Sequence, residues 1–117
     1  MKKTIFIDID GVLVKHHGNL SKQIIEETEI LPGVLNKLNK WESEGHKIIL
    51  TTGRKESMRN LTENQLLKFG IFYDQLIMGL PRGERIIIND RKPDSYMRTA
   101  SAIEIDRNIG LEKVEIY

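Results

Sequence analysis

The chain has no cysteine in its 117 residues. That excludes disulfides, thiolate metal sites and cysteine nucleophiles, and it suits a reducing compartment. It also lacks an excess of charge of either sign: 18 Lys and Arg stand against 17 Asp and Glu, for a formal net charge of +1. The basic residues are scattered, so no concentrated stripe marks a nucleic-acid or anionic-membrane surface, and no nucleic-acid partner is expected. Long apolar runs are missing too. Ile86-Ile87-Ile88 and Ile48-Ile49-Leu50 are far shorter than a membrane span or a signal-peptide core. The expectation is a soluble, cytoplasmic protein with no membrane association. With no repeat, linker or low-complexity tract, and with 39% hydrophobic and 30% charged residues, residues 1–117 are expected to form a single domain with a modest core.

What is present is an alternation of strand and helix patterns. Thr4 to Ile9 is β-branched, aromatic and almost continuously apolar, as in a strand at the centre of a parallel sheet. Leu31, Val34, Leu35, Leu38 and Trp41 recur at helical spacing, with Pro32 in the first turn and Gly45 at the stop, so Trp41 is expected to pack in the core. Lys47 to Leu50 reads as a second strand ending in Thr51-Thr52-Gly53-Arg54. A helical stretch then runs to Gly70, in which Thr62 and Gln65 have capping-box spacing and Ser57 to Leu61 forms a separate turn. Gln75 to Met78 gives a weak third strand and Arg85 to Ile88 a strong fourth, with edge strands at Ala102 to Ile105 and Val114 to Ile116. Strands separated by helices predict an α/β fold with a mostly parallel sheet, which binds ligands beyond the carboxyl ends of its strands.

Asp8, Thr52 and Asp90 each fall at such an end. In an extended strand Asp8 and Asp10 point to one face about 7 Å apart, and Gly11 then lets the backbone turn. Carboxylates gathered in one crevice need a cation, and Mg²⁺ suits oxygen ligands of this kind. Two acids, a hydroxyl and a divalent ion suit a phosphate ester: one carboxylate attacks phosphorus and the other moves the proton. As structural roles, Asp10 would be an Asx-turn residue, Thr51-Thr52-Gly53 a helix cap, and Asp90 and Asp94 loop acids paired with Arg91 and Lys92. His16 and His17 are expected to be solvated residues of a flap.

These residues resemble the haloacid dehalogenase superfamily of aspartate-dependent phosphohydrolases. Asp8-Ile9-Asp10-Gly11-Val12 is similar to its first motif, which implies that Asp8 is the nucleophile forming an aspartyl phosphate and Asp10 the general acid and base. Thr52, followed by Gly53 and Arg54, is similar to the second motif, whose hydroxyl binds the phosphoryl group. Asn89-Asp90-Arg91-Lys92-Pro93-Asp94 resembles the fourth, acidic motif, in which Asp90, supported by Asn89 or Asp94, holds Mg²⁺ together with Asp8 and Asp10. The fold so implied is a Rossmann-like three-layer sandwich.

The third motif departs from the family. Relatives carry a phosphate-binding Lys between Gly and Pro, whereas this chain has Gly79-Leu80-Pro81. Lys92, Arg82 and Arg54 are the candidate replacements. Neither position for a cap domain has room for one, so the resemblance implies a capless member; such relatives either act on large, accessible substrates or form oligomers in which a neighbour shields the site, and the charge balance favours a homo-oligomer acting on a small phosphorylated metabolite. The stretch Thr99 to Ile105 resembles small relatives of surface-glycan and nucleotide-sugar pathways, which makes a sugar phosphate the preferred class. The alternative is a weak or inactive module that binds a phosphorylated ligand or partner, prompted by Leu80. A calcium loop fails because Val12 and Leu13 stand where an oxygen ligand and a glycine are needed, and a receiver domain would carry its acceptor Asp where this chain has Thr51-Thr52.

Overall fold

The three weaker or stronger strand patterns of the N-terminal two thirds do pair. In the computed structural model, which describes residues 1–19 and 28–117, β1 (Thr4–Asp8), β2 (Lys47–Thr51) and β3 (Gln75–Ile77) form a parallel sheet in the order β1-β2-β3. The register sets Asp8 opposite Thr51, and Leu50 between Ile7 and Leu76. The fold is therefore α/β and Rossmann-like, with helices serving as the crossovers. Helix α1 (Val34–Ser43) joins β1 to β2, and α2 (Arg59–Lys68), entered through a 3₁₀ turn at Glu56–Met58, joins β2 to β3. Two right-handed crossovers that advance in the same direction place both helices on one face of the sheet.

That face is the core. Ile7, Ile48, Leu50 and Leu76, on alternating positions of the strands, pack with Val34, Leu38 and Trp41 of α1 and Leu66 of α2. The i, i+4, i+7 spacing of the α1 residues gives one apolar stripe. Helix α1 starts later than its apolar pattern, with Gly33 rather than a residue before Pro32 as its cap. It stops at Gly45, where the amides of Gly45 and His46 donate to the carbonyls of Glu42 and Trp41 in a Schellman closure with Gly45 at φ 87°. The opposite face of the sheet carries Phe6, Ile49 and Ile77, and Phe6 is half exposed. The outer edge of β1 has no strand beside it among the described residues.

The expected fourth strand is not formed. Ile86, Ile87 and Ile88 are 75%, 51% and 90% exposed, and the chain from Pro81 to Glu104 stands outside the core as an arm. The reason is the connection: only residues 78–84 separate β3 from Arg85, whereas a parallel strand requires a crossover of about a dozen residues. The arm folds on itself, Asn89 Nδ2 donating to the Thr99 carbonyl (2.8 Å) and Thr99 Oγ1 to that of Asp90 (2.7 Å). It gives the molecule a long axis of 52 Å against 28 and 25 Å. The radius of gyration, 14.9 Å, exceeds the roughly 13 Å of a compact chain of this length.

The tail after the arm returns to the core. Leu111 is buried and its amide donates to the Pro32 carbonyl, while the Asn108 amide donates to that of Gly11. Ile105, Val114 and Ile116 pack against the core without joining the sheet, so the expected edge strands are apolar contacts instead. Gly110 is what permits this docking. It lies at φ 90°, and a Cβ there would press into the Pro32 carbonyl oxygen. Gly110→Ala is expected to cost about 2 kcal/mol or more, through positive φ and backbone collision together. Urea titration of the variant beside the wild type measures this, and an unchanged midpoint would show that the tail is not clamped.

Candidate active site

The candidate residues gather where β1 and β2 end, the carboxyl rim at which a parallel sheet binds ligands between diverging connections. Asp8 is the last residue of β1, and its side chain reaches solvent. Ile9 then donates to the Thr51 carbonyl (3.2 Å), and the Ile9 carbonyl accepts from Val12, Leu13 and Val14, so the backbone turns back immediately after Asp10. Asp8 and Asp10 thus stand together on one rim of the sheet, as the D-x-D-G spacing leads one to expect.

Partial desolvation holds the Asp8 carboxyl above its ordinary pKa. The Ile9 amide opposes this by hydrogen bonding, the negative charge of Asp10 adds to it, and the charges of Arg85 and His16 draw it back down. His16 is itself held below the usual imidazole value, by burial first and by Arg107 second. Its backbone amide donates to Asn108 Oδ1 (2.7 Å), so the flap start is tied to the C-terminal tail. His16 is therefore a neighbour of the acid pair rather than a freely solvated residue.

Asp10 has a different environment. Arg54 donates to both of its oxygens, Nη2 to Oδ1 at 2.7 Å and Nε to Oδ2 at 3.0 Å. The guanidinium is 1% exposed, and its Nη1 donates to Thr62 Oγ1 (3.1 Å) and Gln65 Oε1 (2.7 Å) of α2. Its hydrogen bonds thus commit Arg54 to holding Asp10, which makes it a positioning residue. The Thr62 and Gln65 pair does not form a capping box: the two sit inside α2, one turn apart, and present both acceptors to the buried cation. Thr52 is fully buried, its amide donating to the Ile77 carbonyl and its hydroxyl accepting from the Arg54 amide (3.1 Å). Gly53 follows it closely enough to Leu80 that a Cβ would lie 3.3 Å from the Leu80 carbonyl oxygen. Thr51, directly opposite Asp8 in the register, is the second hydroxyl residue at this rim.

The remaining candidates are elsewhere. Arg82, Asn89, Asp90, Lys92 and Asp94 all lie exposed on the arm, and Asp94 has φ 60° at its turn. A hollow lined by Arg91 to Tyr96 belongs to that turn and not to the Asp8 crevice. Sequence reasoning missed Arg85, whose charge acts on Asp8, and Arg107, whose side chain covers Gly11. The signal for Arg107 was the Asn108-Ile109-Gly110 turn, with positive φ at both its ends.

Mg²⁺ is commonly held by one or two carboxylates plus substrate phosphate. Asp8 offers one carboxylate with an oxygen open to solvent, which fits such a site. No three acidic or histidine side chains converge among the described residues. No described helix is long and apolar enough to cross a membrane.

No family model matches the chain. No curated protein matches it either. Solved structures do. A chain of the Pnkp1/Rnl/Hen1 complex is 26% identical with a TM-score of 0.58, over 85% of this chain and 31% of that one. A second structure of that RNA repair complex agrees, at 26% identity and a TM-score of 0.58, over 83% of this chain and 28% of the other. D,D-heptose 1,7-bisphosphate phosphatase from B. bronchiseptica, solved with magnesium and phosphate, is 22% identical with a TM-score of 0.54, over 83% of this chain and 54% of that one. This chain thus spans about a third or less of the first two and about half of the third. What it shares with them is the fold, an α/β sheet of the haloacid-dehalogenase-like kind.

Proposed function

We propose that the chain is a phosphomonoester hydrolase of the haloacid dehalogenase type, acting through an aspartyl phosphate on Asp8. The observation that carries this reading is the pair at the end of β1: Asp8 is open to solvent, and Asp10, two residues on, is fixed by a buried arginine. The likeness in fold to a phosphatase crystallised with magnesium and phosphate supports it.

In this mechanism an Asp8 oxygen attacks phosphorus in line with the ester oxygen. The P–O bond breaks, and the leaving oxygen takes a proton from Asp10. Asp10, now ionised, removes a proton from the water that attacks the aspartyl phosphate, which releases inorganic phosphate and regenerates Asp8. Arg54 donates to both Asp10 oxygens, so the proton is handled through a lone pair the guanidinium leaves free, and the acid stays aimed as it cycles. Mg²⁺ bound at Asp8, with Asp90, Asn89 or Asp94 as further ligands, would offset the charge between nucleophile and substrate. Thr52 and Gly53, the second-motif residues, would hold the phosphoryl group, the Thr52 hydroxyl turning from the Arg54 amide to do so. Arg85, already within electrostatic reach of Asp8, joins Lys92 and Arg82 as a candidate for the charge that Leu80 does not supply.

A small phosphorylated metabolite such as a sugar phosphate is the substrate class, and the cytoplasm the compartment. The test is phosphate release from an aryl phosphate with and without Mg²⁺, followed by a panel of phosphorylated sugars, nucleotides, amino alcohols and a phosphate-terminated oligonucleotide. Mg²⁺-dependent release is expected, with Asp90→Asn raising the Mg²⁺ needed and one of Arg85→Ala, Lys92→Ala or Arg82→Ala raising KM tenfold or more. A second reading, binding of a phosphorylated ligand without turnover, is favoured by Leu80. Retained phosphate binding with no release from any substrate would establish it.

A further inference from the structure

Three features of the single chain are unfinished, and they complement one another. Among the described residues the outer edge of β1 is an open row of backbone donors and acceptors, with half-exposed Phe6 beside it on the face opposite the helices. The arm carries Arg85-Ile86-Ile87-Ile88, three large aliphatic residues in a strand-forming run, all exposed. Among the described residues no third acid joins Asp8 and Asp10, while Asn89 and Asp90 immediately follow the three isoleucines. An exposed edge and an exposed aliphatic strand are both aggregation hazards unless something covers them.

The arm cannot cover its own β1. A strand parallel to β1 must begin at the Thr4 end, but the amides of Gly79 and Leu80 donate to the carbonyls of Arg54 and Thr52, which holds the start of the arm at the opposite end. The seven residues 78–84 are too few to carry the chain around the sheet to the far end. In a second copy, turned over by a two-fold axis, the Thr4 end of β1 lies where the arm begins.

We propose that the protein is an arm-exchanged homodimer. Arg85 to Ile88 of each copy lies parallel along β1 of the other, and Asn89 and Asp90 of the partner subunit arrive beside Asp8 and Asp10. The resulting sheet is continuous, β3-β2-β1-arm′-arm-β1′-β2′-β3′, with the two arms antiparallel at the axis. Each arm is then two strand spacings, roughly 10 Å, from its own β1. Phe6 and the isoleucines then flank one another across paired strands, and the edge of β1 is no longer open. Exchange of an element between identical copies is a low-cost route to a dimer when its connection is too short to close at home. The composite site rests on the phosphatase reading above; the exchanged strand does not.

Light scattering and paired variants test both halves. The wild type is expected at the mass of two chains, and Ile87→Asp, at a position exposed in the single chain, at the mass of one with its helical circular dichroism retained. A wild type at one-chain mass, or Ile87→Asp remaining a dimer, would overturn the exchange. Next, Asp8→Asn and Asp90→Ala chains carrying different tags are co-expressed and the doubly tagged heterodimer is isolated. At a Mg²⁺ concentration that saturates only the wild type, each variant alone is expected to be silent, whereas the heterodimer has one site with both acids intact and regains about half of the wild-type activity. A silent heterodimer beside an active wild type would overturn the composite site. A wild type inactive on every phosphate ester would refute the phosphatase reading, and the masses would still decide the exchange.

Discussion

Arg54→Ala should lower stability by about 3–5 kcal/mol, the cost of stripping one partner from a buried ion pair. The size follows from what the guanidinium satisfies. It is 1% exposed and reaches four acceptor oxygens, two on Asp10 and one each on Thr62 and Gln65. Removing it leaves a largely buried carboxylate without a counter-charge and two helix side chains without a donor. Small domains have about 5–15 kcal/mol in total, so the variant should be partly unfolded at 37 °C. Arg54→Lys should recover little, since an ammonium cannot make the paired fork. The double variant Arg54→Met, Asp10→Leu should regain much of the loss while remaining inactive, because an apolar pair needs no partner there. Urea titrations of the four proteins measure the coupling. A loss under 1 kcal/mol for Arg54→Ala would mean that the guanidinium does not hold Asp10 in solution.

Asp8→Asn should abolish turnover, by at least three orders of magnitude if Asp8 is the nucleophile, and should at the same time raise the melting temperature at neutral pH in the absence of divalent ions. The second effect comes from the raised Asp8 pKa. Desolvation, with Asp10 adding to it, makes the folded protein hold the Asp8 proton more tightly than the unfolded chain does, whose carboxyl titrates near the ordinary value of 3.8. As pH rises past 3.8 the unfolded chain loses its proton first, so ionisation costs the folded state stability. That cost is absent below 3.8 and complete above the raised folded pKa. The wild type and Asp8→Asn should therefore converge in stability in acid and separate at neutral pH, with the variant higher. Mg²⁺ should stabilise the wild type and leave the variant unmoved. Thermal melts across pH, with and without Mg²⁺, check this; a variant less stable than the wild type at pH 7 would mean that the Asp8 charge is compensated within the fold.

How much of this was legible in the sequence differs by residue. The three strands, α1 and the Asp8-Asp10 pair were readable because local rules decide them: β-branched runs, the Val34, Leu38, Trp41 stripe, and a turn enforced after Asp10 by Gly11. Arg54 was read as a phosphate contact because its sequence neighbours are Thr52 and Gly53, while its partners are 44 positions away on Asp10 and, on α2, at Thr62 and Gln65. No local pattern reports a contact of that kind. The capping-box spacing misled for the same reason, since an i, i+3 polar pair looks alike at a helix start and on a buried helix face. Ile86 to Ile88 does have the composition of a strand, but composition does not say whether the chain's own sheet can take it up. The shortness of residues 78–84 was in plain view and carried that information.

The central claim is that phosphate passes through Asp8. Mixing the protein with an aryl phosphate and Mg²⁺, quenching in acid within the first turnover and sequencing the peptides by mass spectrometry tests it directly. The account predicts the added mass of one phosphoryl group on Asp8, absent from Asp8→Asn. Phosphate release with Asp8 unmodified at every quench time, and undiminished in Asp8→Asn, would contradict it.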